Sequence, residues 1–123
     1  MPFRYVLANL LANNENAIGA LFLDPSGETI ELSCTEIGPY KLRVLGAYLG
    51  IHLRQVERIA SSNWLGAPTL LQFEQDDLLI HAVPLPDGYY LVLVQRPPVR
   101  AAMARRELES AAELLAGEAF AKR

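Results

Sequence analysis

The sequence contains few of the residues that disulfides and metal sites require. Its 123 residues include one cysteine, Cys34, and two histidines, His52 and His81. One cysteine cannot form a disulfide or a cysteine-based metal site within a chain. The histidines also lack the H-x-x-x-H or H-E-x-x-H spacing of a zinc site. We therefore predict no metal, no cofactor and a cytoplasmic location.

Motifs for nucleotide binding and covalent catalysis are also absent. There is no G-x-x-x-x-G-K-[ST] phosphate loop, and Gly46-x-x-x-Gly50 falls inside a helical pattern, where backbone amides are already hydrogen-bonded. The G-x-S-x-G nucleophile turn is missing as well. Cys34 could act as a nucleophile activated by His81, but a cysteine on the apolar face of a strand is more often a core residue. We predict no catalytic residues and no enzymatic activity.

The charge balance argues against nucleic acid as a partner. Eleven basic and fourteen acidic residues give a net charge of -3, so a phosphate backbone would be repelled. The densest basic positions, 105–106 and 122–123, have glutamates nearby, as on a solvated helix face. The adjacent Asp76 and Asp77 are typical of a hairpin turn in water rather than of an acid–base pair.

Membrane insertion and secretion are not indicated either. The N-terminus lacks the basic start and the unbroken apolar run of a signal peptide. The longest apolar runs, such as residues 89–94, are far shorter than the ~20 residues that span a bilayer. The hydrophobic fraction of 51% is enough for one core, so we predict a single domain over residues 1–123.

Apolar periodicity and turn residues predict three helices and five strands. Helices are expected at residues 3–12, 39–61 and 99–116, and strands at 17–23, 29–34, 69–75, 78–83 and 89–94. The first and fifth strands are apolar throughout, which is typical of central strands. In the second strand, Ile30, Leu32 and Cys34 alternate with polar residues, which predicts one buried face and an edge position.

Short turns between the strands favour an antiparallel sheet. We predict an α/β (α+β) fold with a five-stranded antiparallel sheet in the order 2-1-5-4-3. The long second helix covers one face, and the first and third helices cover the other.

The second helix has more apolar surface than contact with one sheet requires. Beside the stripe expected to face the sheet runs another, which contains Tyr48. Gly46 and Gly50 each cost a helix interior up to ~1 kcal/mol relative to alanine, and we interpret them as room for the close approach of another backbone. A second copy of the chain is the partner that this surface predicts.

Two segments resemble signatures of the Roadblock / dynein light-chain family. The hairpin at residues 19–27, Gly-Ala-Leu-Phe-Leu-Asp-Pro-Ser-Gly, is similar to the family's G-A-hydrophobic-hydrophobic-hydrophobic-D-x-x-G pattern. Residues 84–89, Pro-Leu-Pro-Asp-Gly-Tyr, are similar to its P-L-x-D-G-hydrophobic approach to the last strand. The order of elements matches over nearly the whole chain.

The resemblance, to the bacterial gliding-motility GTPase-regulator type in particular, implies a domain with the profilin-like Roadblock fold. It implies dimerisation through the third strand with the long helices side by side. The predicted dimer-interface residues are Gly46, Tyr48, Gly50, Leu70, Gln72 and Glu74. Bacterial members often pair with small Ras-like GTPases, and the gliding-motility member is a GTPase-activating protein. The chain ends soon after the third helix, so activities that depend on an additional tail are not expected.

The resemblance leaves more than one function open. The protein could regulate a small Ras-like GTPase in signalling, acting on the GTPase's own residues because no arginine here can be nominated as a catalytic finger. It could instead be a passive dimeric scaffold for a motor, a kinase or a signalling complex. An enzyme or ligand sensor would need a pocket with converging polar groups. Trp64, in a loop, is either a partner-binding anchor or a lid over the core.

Overall fold

The computed structural model describes residues 2–75 and 77–120, which form the predicted three helices and five strands. Asp76, Lys122 and Arg123, considered above for a turn and a basic patch, lie outside the described residues. The helices are α1 (Pro2–Ala12), α2 (Pro39–Ser62) and α3 (Ala101–Phe120), and the strands are β1 (Ala17–Leu23), β2 (Thr29–Cys34), β3 (Leu71–Gln75), β4 (Leu78–Pro84) and β5 (Tyr90–Gln95). A short 3-10 turn, Pro86–Gly88, connects the last two strands.

The strands form one antiparallel sheet in the order β2-β1-β5-β4-β3. The predicted topology is therefore confirmed. In β5 every residue is buried, and in β1 all but the first are buried. Continuous apolar runs require cover on both faces and neighbours on both sides, which is why these two strands occupy the centre.

The sheet separates two hydrophobic cores, one against each helical layer. On one face Leu42, Leu49 and Leu53 of α2 pack with β1 and β5. On the other face, Leu7 of α1 and Leu108 of α3 pack against the opposite side chains of the same strands. The predicted division of the helices, one against two, is confirmed.

The second strand is less buried than its sequence pattern predicted. Ile30 is 36% exposed, and Leu32 and Cys34 are only half-buried. The polar residue Glu31 is half-buried as well, so the strand does not separate into a wet face and a dry face. An edge strand has a neighbour on one side only, and its apolar side chains therefore keep part of their surface in water.

The hairpin between β1 and β2 is fixed by one carboxylate. Asp24 Oδ1 accepts hydrogen bonds from the backbone N–H of Ser26 at 2.9 Å, from the Ser26 hydroxyl at 2.7 Å and from the backbone N–H of Glu28 at 3.0 Å. Burial acts to raise the pKa of Asp24, but these hydrogen bonds together outweigh it and lower the pKa below its usual range. Gly27 follows with a φ of 90°, a conformation that favours glycine.

Candidate functional site

The outer face of α2 carries an apolar stripe that points away from the sheet. Side chains three and four residues apart share one face of a helix, so the buried Leu42 and Leu53 mark the inner face. On the opposite side Tyr40 is 79% and Tyr48 is 64% exposed. The exposed members of this outer stripe are Tyr40, Val44, Ala47, Tyr48 and Ile51. The second stripe predicted from the sequence is therefore present and faces outward.

The second open surface is the rim of β3. This strand ends the sheet and contains no proline, so its outer backbone groups can pair with another strand. Gln72 and Glu74 are exposed and lie on the face of the sheet that carries α1 and α3. Phe73 is half-buried on the α2 face.

Two of the predicted interface residues, Gly46 and Gly50, are buried inside the protomer. A Cβ atom on Gly46 would lie 2.9 Å from Cδ2 of Leu23, and one on Gly50 would lie 2.8 Å from Cα of Gly27. The glycines do permit a close approach, but to this chain's own strand and hairpin. Our interpretation that they make room for a second copy is therefore corrected, because they face inward toward the sheet.

Leu70 also differs from its expected place. It precedes β3, which begins at Leu71 rather than at Thr69, and its half-buried side chain packs against the core beneath α1 and α3. Of the six predicted interface residues, the structure thus places Tyr48, Gln72 and Glu74 on exposed surface.

The exposed side chain of Gln72 is the end of a chain of hydrogen bonds across the sheet. Its Nε2 lies 3.0 Å from Nδ1 of His81, and Nε2 of His81 lies 2.7 Å from Oε1 of Gln95. Nε2 of Gln95 donates to the carbonyl of Glu15 at 3.1 Å. His81 is 1% exposed, and burial lowers its pKa, so the ring is neutral near pH 7. This row of residues is called the glutamine–histidine relay below.

The relay was missed in the sequence, although a signal existed. His81 is the only ionisable residue within the apolar run of β4, and a buried polar side chain requires partners. Which residues supply them depends on strand pairing. The strand order also excludes activation of Cys34 by His81, because β1 and β5 lie between β2 and β4. Three strand spacings of ~4.8 Å separate the two strands by about 14 Å.

Trp64 lies at the C-terminal end of α2 and is 94% exposed. Its backbone has a φ of 60°, and the N–H groups of Trp64 and Leu65 donate to the carbonyls of Ser61 and Ala60. This arrangement closes the helix as a Schellman motif, with tryptophan at the position that glycine usually takes. The interpretation of Trp64 as a lid over the core is therefore wrong. A role in partner binding stays a prediction.

A surface depression of about 600 Å³ lies beside the start of α2, among the residues that the structure describes, and includes Arg96, Glu36 and Asp77. Arg96 forms ion pairs with Glu36 at 2.8 Å and with Asp77 at 3.4 Å, so the three charges largely satisfy one another. The hydrogen bond from Arg96 to Glu36 is the main cause that raises the pKa of Arg96. Within residues 2–75 and 77–120, no cluster of three or more His, Cys, Asp or Glu side chains could hold a metal ion.

Solved structures with the same architecture identify the fold. The chain superposes on the Roadblock/LC7 domain from Streptomyces avermitilis with a TM-score of 0.82 and 16% identity, covering 93% of this chain and 94% of that one. An MglB structure with a tetrameric arrangement gives 0.81 and 18% identity, covering 91% and 83%. The gliding protein MglB from Thermus thermophilus gives 0.82 and 17% identity, covering 94% and 86%.

The sequence itself matches no protein-family model, and no curated protein matches it. Identities below 20% together with high TM-scores establish a shared fold. The chain has the Roadblock fold, and the resemblance seen in its sequence motifs is confirmed at that level. None of the helices, over the residues that the structure describes, is long and apolar enough to cross a membrane.

Proposed function

We propose that the protein is a homodimeric, non-enzymatic regulator of a small Ras-like GTPase. The observation that carries the proposal is the pair of open surfaces on one protomer, the rim of β3 and the outer stripe of α2. Contiguous apolar surface of this kind usually marks a site that a partner covers. The edge strand β3 adds backbone groups that a second strand can pair.

Self-association is the first part of the proposal. Tyr48 on α2 and the rim residues Gln72 and Glu74 form the proposed interface, while Gly46 and Gly50 support it from behind by holding α2 close to the hairpin. Antiparallel pairing of two β3 strands would satisfy their outer N–H and C=O groups. One of the structural neighbours is an MglB with a tetrameric arrangement, and this supports self-association for a chain of the same fold.

The GTPase is the second part. Bacterial members of the family that the chain resembles often pair with small Ras-like GTPases, and one neighbour is a gliding protein. The charge of α2 supports a polar protein partner: the helix has four basic residues and one acidic residue in a chain of net charge -3. Lys41, Arg43 and Arg58 are exposed around the apolar stripe, and such a surface attracts an acidic one.

Regulation is proposed to act through the GTPase's own catalytic residues. This chain has no phosphate loop, so the nucleotide would be held by the partner. An arginine supplied in trans can accelerate GTP hydrolysis by roughly 10³–10⁵. We expect no such role here, and a double variant, Arg43→Gln with Arg58→Gln, is expected to weaken binding while leaving the rate within the saturated complex unchanged. Loss of acceleration at saturation would contradict this mechanism.

The oligomeric state tests the first part. Tyr48→Glu places a charge in the centre of the outer stripe and is expected to shift the protein toward monomer in sedimentation velocity. Tyr5→Glu is the matched control, because Tyr5 on α1 is 72% exposed but lies on the opposite face of the sheet. A dimer that is equally stable in both variants would contradict the proposed interface.

Single-turnover GTP hydrolysis tests the second part. A small GTPase encoded beside this protein's gene is the partner to use, loaded with GTP and mixed with increasing amounts of the protein. We expect faster hydrolysis that saturates with binding. Binding without acceleration would instead favour the passive scaffold, and absence of binding would remove the GTPase from the proposal.

A further inference from the structure

The other edge of the sheet, β2, also has backbone groups that point away from the sheet. The N–H of Thr35 donates to the carbonyl of Ile18 at 3.1 Å, so the odd-numbered residues of β2 from position 31 onward bond to β1. The N–H and C=O groups of Leu32 and Cys34, which lie between them, therefore point outward. The strand contains no proline, so a further strand can pair with these groups.

One of the outward groups is covered by a side chain of the same strand. The N–H of Leu32 donates to Oε1 of Glu31 at 3.2 Å. Charged side chains at a sheet edge hinder the addition of another strand. A carbonyl that docks opposite Leu32 must therefore displace the Glu31 carboxylate.

A depression of about 300 Å³ lies between the start of β2 and α2. Thr29 lines it from the strand, and Arg43 and Ala47 line it from the helix. Arg43 is exposed and forms no ion pair with any residue that the structure describes. The Thr29 hydroxyl is shielded from water and has no hydrogen-bond partner among the same residues. A carboxylate in the depression would pair with Arg43 and would be an acceptor for the Thr29 hydroxyl.

The helices beside β2 favour a single extended segment over a second copy of the chain. Both α1 and α2 pack against β2, from opposite faces of the sheet. A second copy joined at this edge would bring its own two helices to the same faces. Helix axes need about 8–10 Å between them, whereas neighbouring strands lie about 4.8 Å apart. A segment without helices avoids this conflict.

The side chains at this edge indicate what such a segment contains. Leu32 and Cys34 pack toward the α2 face and are only half-buried, so apolar side chains opposite them would cover the remaining surface. Thr29 and the depression lie on the same face, farther along the strand. Glu28 also lines the depression, and its charge offsets part of that of Arg43. We therefore expect one acidic residue at this position, not a run of them.

We propose that β2 binds an extended segment of another protein as a sixth strand, with an acidic side chain of that segment in the depression at Arg43 and Thr29. In strand addition of this kind, the main chain supplies affinity and the alternate side chains supply selectivity. Glu31 covers the edge until the segment displaces its carboxylate. The proposal is independent of the proposed homodimer, which uses β3 at the opposite edge of the sheet.

Two peptides test the proposal by NMR on nitrogen-15-labelled protein. The first is the acetylated and amidated heptapeptide Thr-Val-Thr-Val-Thr-Glu-Thr, in which the valines and the glutamate share one face of a strand. The second has lysine in place of glutamate. We expect the first peptide to shift the amide signals of Leu32 and Cys34 and to slow their hydrogen exchange, because both N–H groups become paired with a strand. The lysine peptide is expected to bind about 2- to 5-fold more weakly.

Three variants separate the contributions of the edge and the depression. Glu31→Ala removes the competing acceptor and is expected to tighten binding of the first peptide by about 2- to 10-fold. Glu31→Gln is the matched control, because its amide oxygen can still accept from the N–H of Leu32, and it is expected to bind as wild type does. Arg43→Gln is expected to abolish the preference for glutamate over lysine. Circular dichroism checks that each variant is folded.

The alternative results are equally defined. Shifts centred on β3 or on the outer stripe of α2, or unchanged signals of Leu32 and Cys34 at millimolar peptide, would overturn strand addition at β2. Equal affinity of wild type for the two peptides would contradict the acidic residue in the depression. Equal tightening by Glu31→Ala and Glu31→Gln would attribute the effect to charge and remove the covering role of Glu31. None of these readouts involves the GTPase or the dimer, so the proposed function would stand.

Discussion

Replacement of Gly50 by alanine tests whether the hairpin limits how close α2 can lie to the sheet. The new Cβ would be placed 2.8 Å from Cα of Gly27, a contact that real Cβ atoms essentially never make. Gly27 cannot readily move, because it adopts a φ of 90° in a turn held by Asp24. Arg54 also donates to the carbonyl of Pro25 and ties the turn to α2. The helix or the hairpin must therefore shift.

Two effects of opposite sign set the size of the change. Alanine in a helix interior is favoured over glycine by about 0.5–1 kcal/mol, while overpacking against backbone costs about 1–3 kcal/mol. We expect Gly50→Ala to lower the free energy of unfolding by about 1 kcal/mol, the difference between the middles of these two ranges. At Gly46 the Cβ meets the end of the Leu23 side chain, which can rotate, so Gly46→Ala is expected to be near neutral. At Gly117 in α3 it meets nothing within 4 Å, so Gly117→Ala is expected to gain the propensity term alone.

Urea unfolding of the three variants and the wild type measures these differences. All four proteins are compared at one protomer concentration, because association would add to the apparent stability. The expected order of stability is Gly117→Ala, then wild type and Gly46→Ala, then Gly50→Ala. A Gly50→Ala protein as stable as Gly117→Ala would refute the reasoning. A Gly50→Ala protein with unchanged stability that no longer forms the dimer would indicate that Gly50 lies in the dimer interface.

Three further changes test single features of the fold. Tyr90→Phe removes a buried hydroxyl that has no hydrogen-bond partner among the described residues, so the free energy of unfolding in urea is expected to stay equal or rise by up to about 1 kcal/mol; a clear fall would reveal a missing partner. Asp24→Ala is expected to lose about 1 kcal/mol at pH 7. The pKa of Asp24 is lower in the folded protein than in the unfolded chain, where it is about 3.9. The extra stability of wild type over Asp24→Ala is therefore fully present above about pH 3.9 and is lost as the pH falls through the folded pKa. Thermal melts of both proteins between pH 6 and pH 2 measure this loss. Trp64→Gly removes the strain of a side chain on a left-handed backbone and exposes no core residue, so it is expected to raise the free energy of unfolding by about 1 kcal/mol. It is also expected to weaken binding to the GTPase. A lower stability would instead indicate that Trp64 covers part of the core.

Patterns confined to neighbouring residues predicted much of the fold. The unbroken apolar runs of β1 and β5 indicated central strands, and the strand order followed from this division into central and edge strands. Short turns such as Asp24–Gly27 indicated that the sheet is antiparallel. Predicted boundaries shifted by a few residues where flanking residues share the composition of the element, as at Thr69 and Leu70 before β3 and at the end of α3. The half-buried state of β2 was not predicted, because alternation indicates which face each side chain points to and not how much of its surface the neighbouring elements cover at an edge.

The candidate site was predicted in part. The periodicity of α2 revealed a second apolar stripe, and Tyr48 is exposed on it. Periodicity gave no direction for Gly46 and Gly50, since a glycine has no side chain whose polarity shows which way it faces. Their contacts with Leu23 and Gly27 depend on where the hairpin packs, and this is a long-range property.

By itself, the sequence determined the order of the elements, the central and edge strands, and the surplus apolar face of α2. These features follow from spacing along the chain, because the period of a helix or a strand determines which residues share a face, and their polarity shows whether that face is buried. Only the tertiary structure decided that Gly46 and Gly50 pack against the β1–β2 hairpin and that Trp64 is exposed to solvent. It also decided that Gln72, His81 and Gln95 are linked by hydrogen bonds. Those contacts bring together residues from different strands and turns, and the distances between them are set by sheet register and helix placement, which no local pattern specifies.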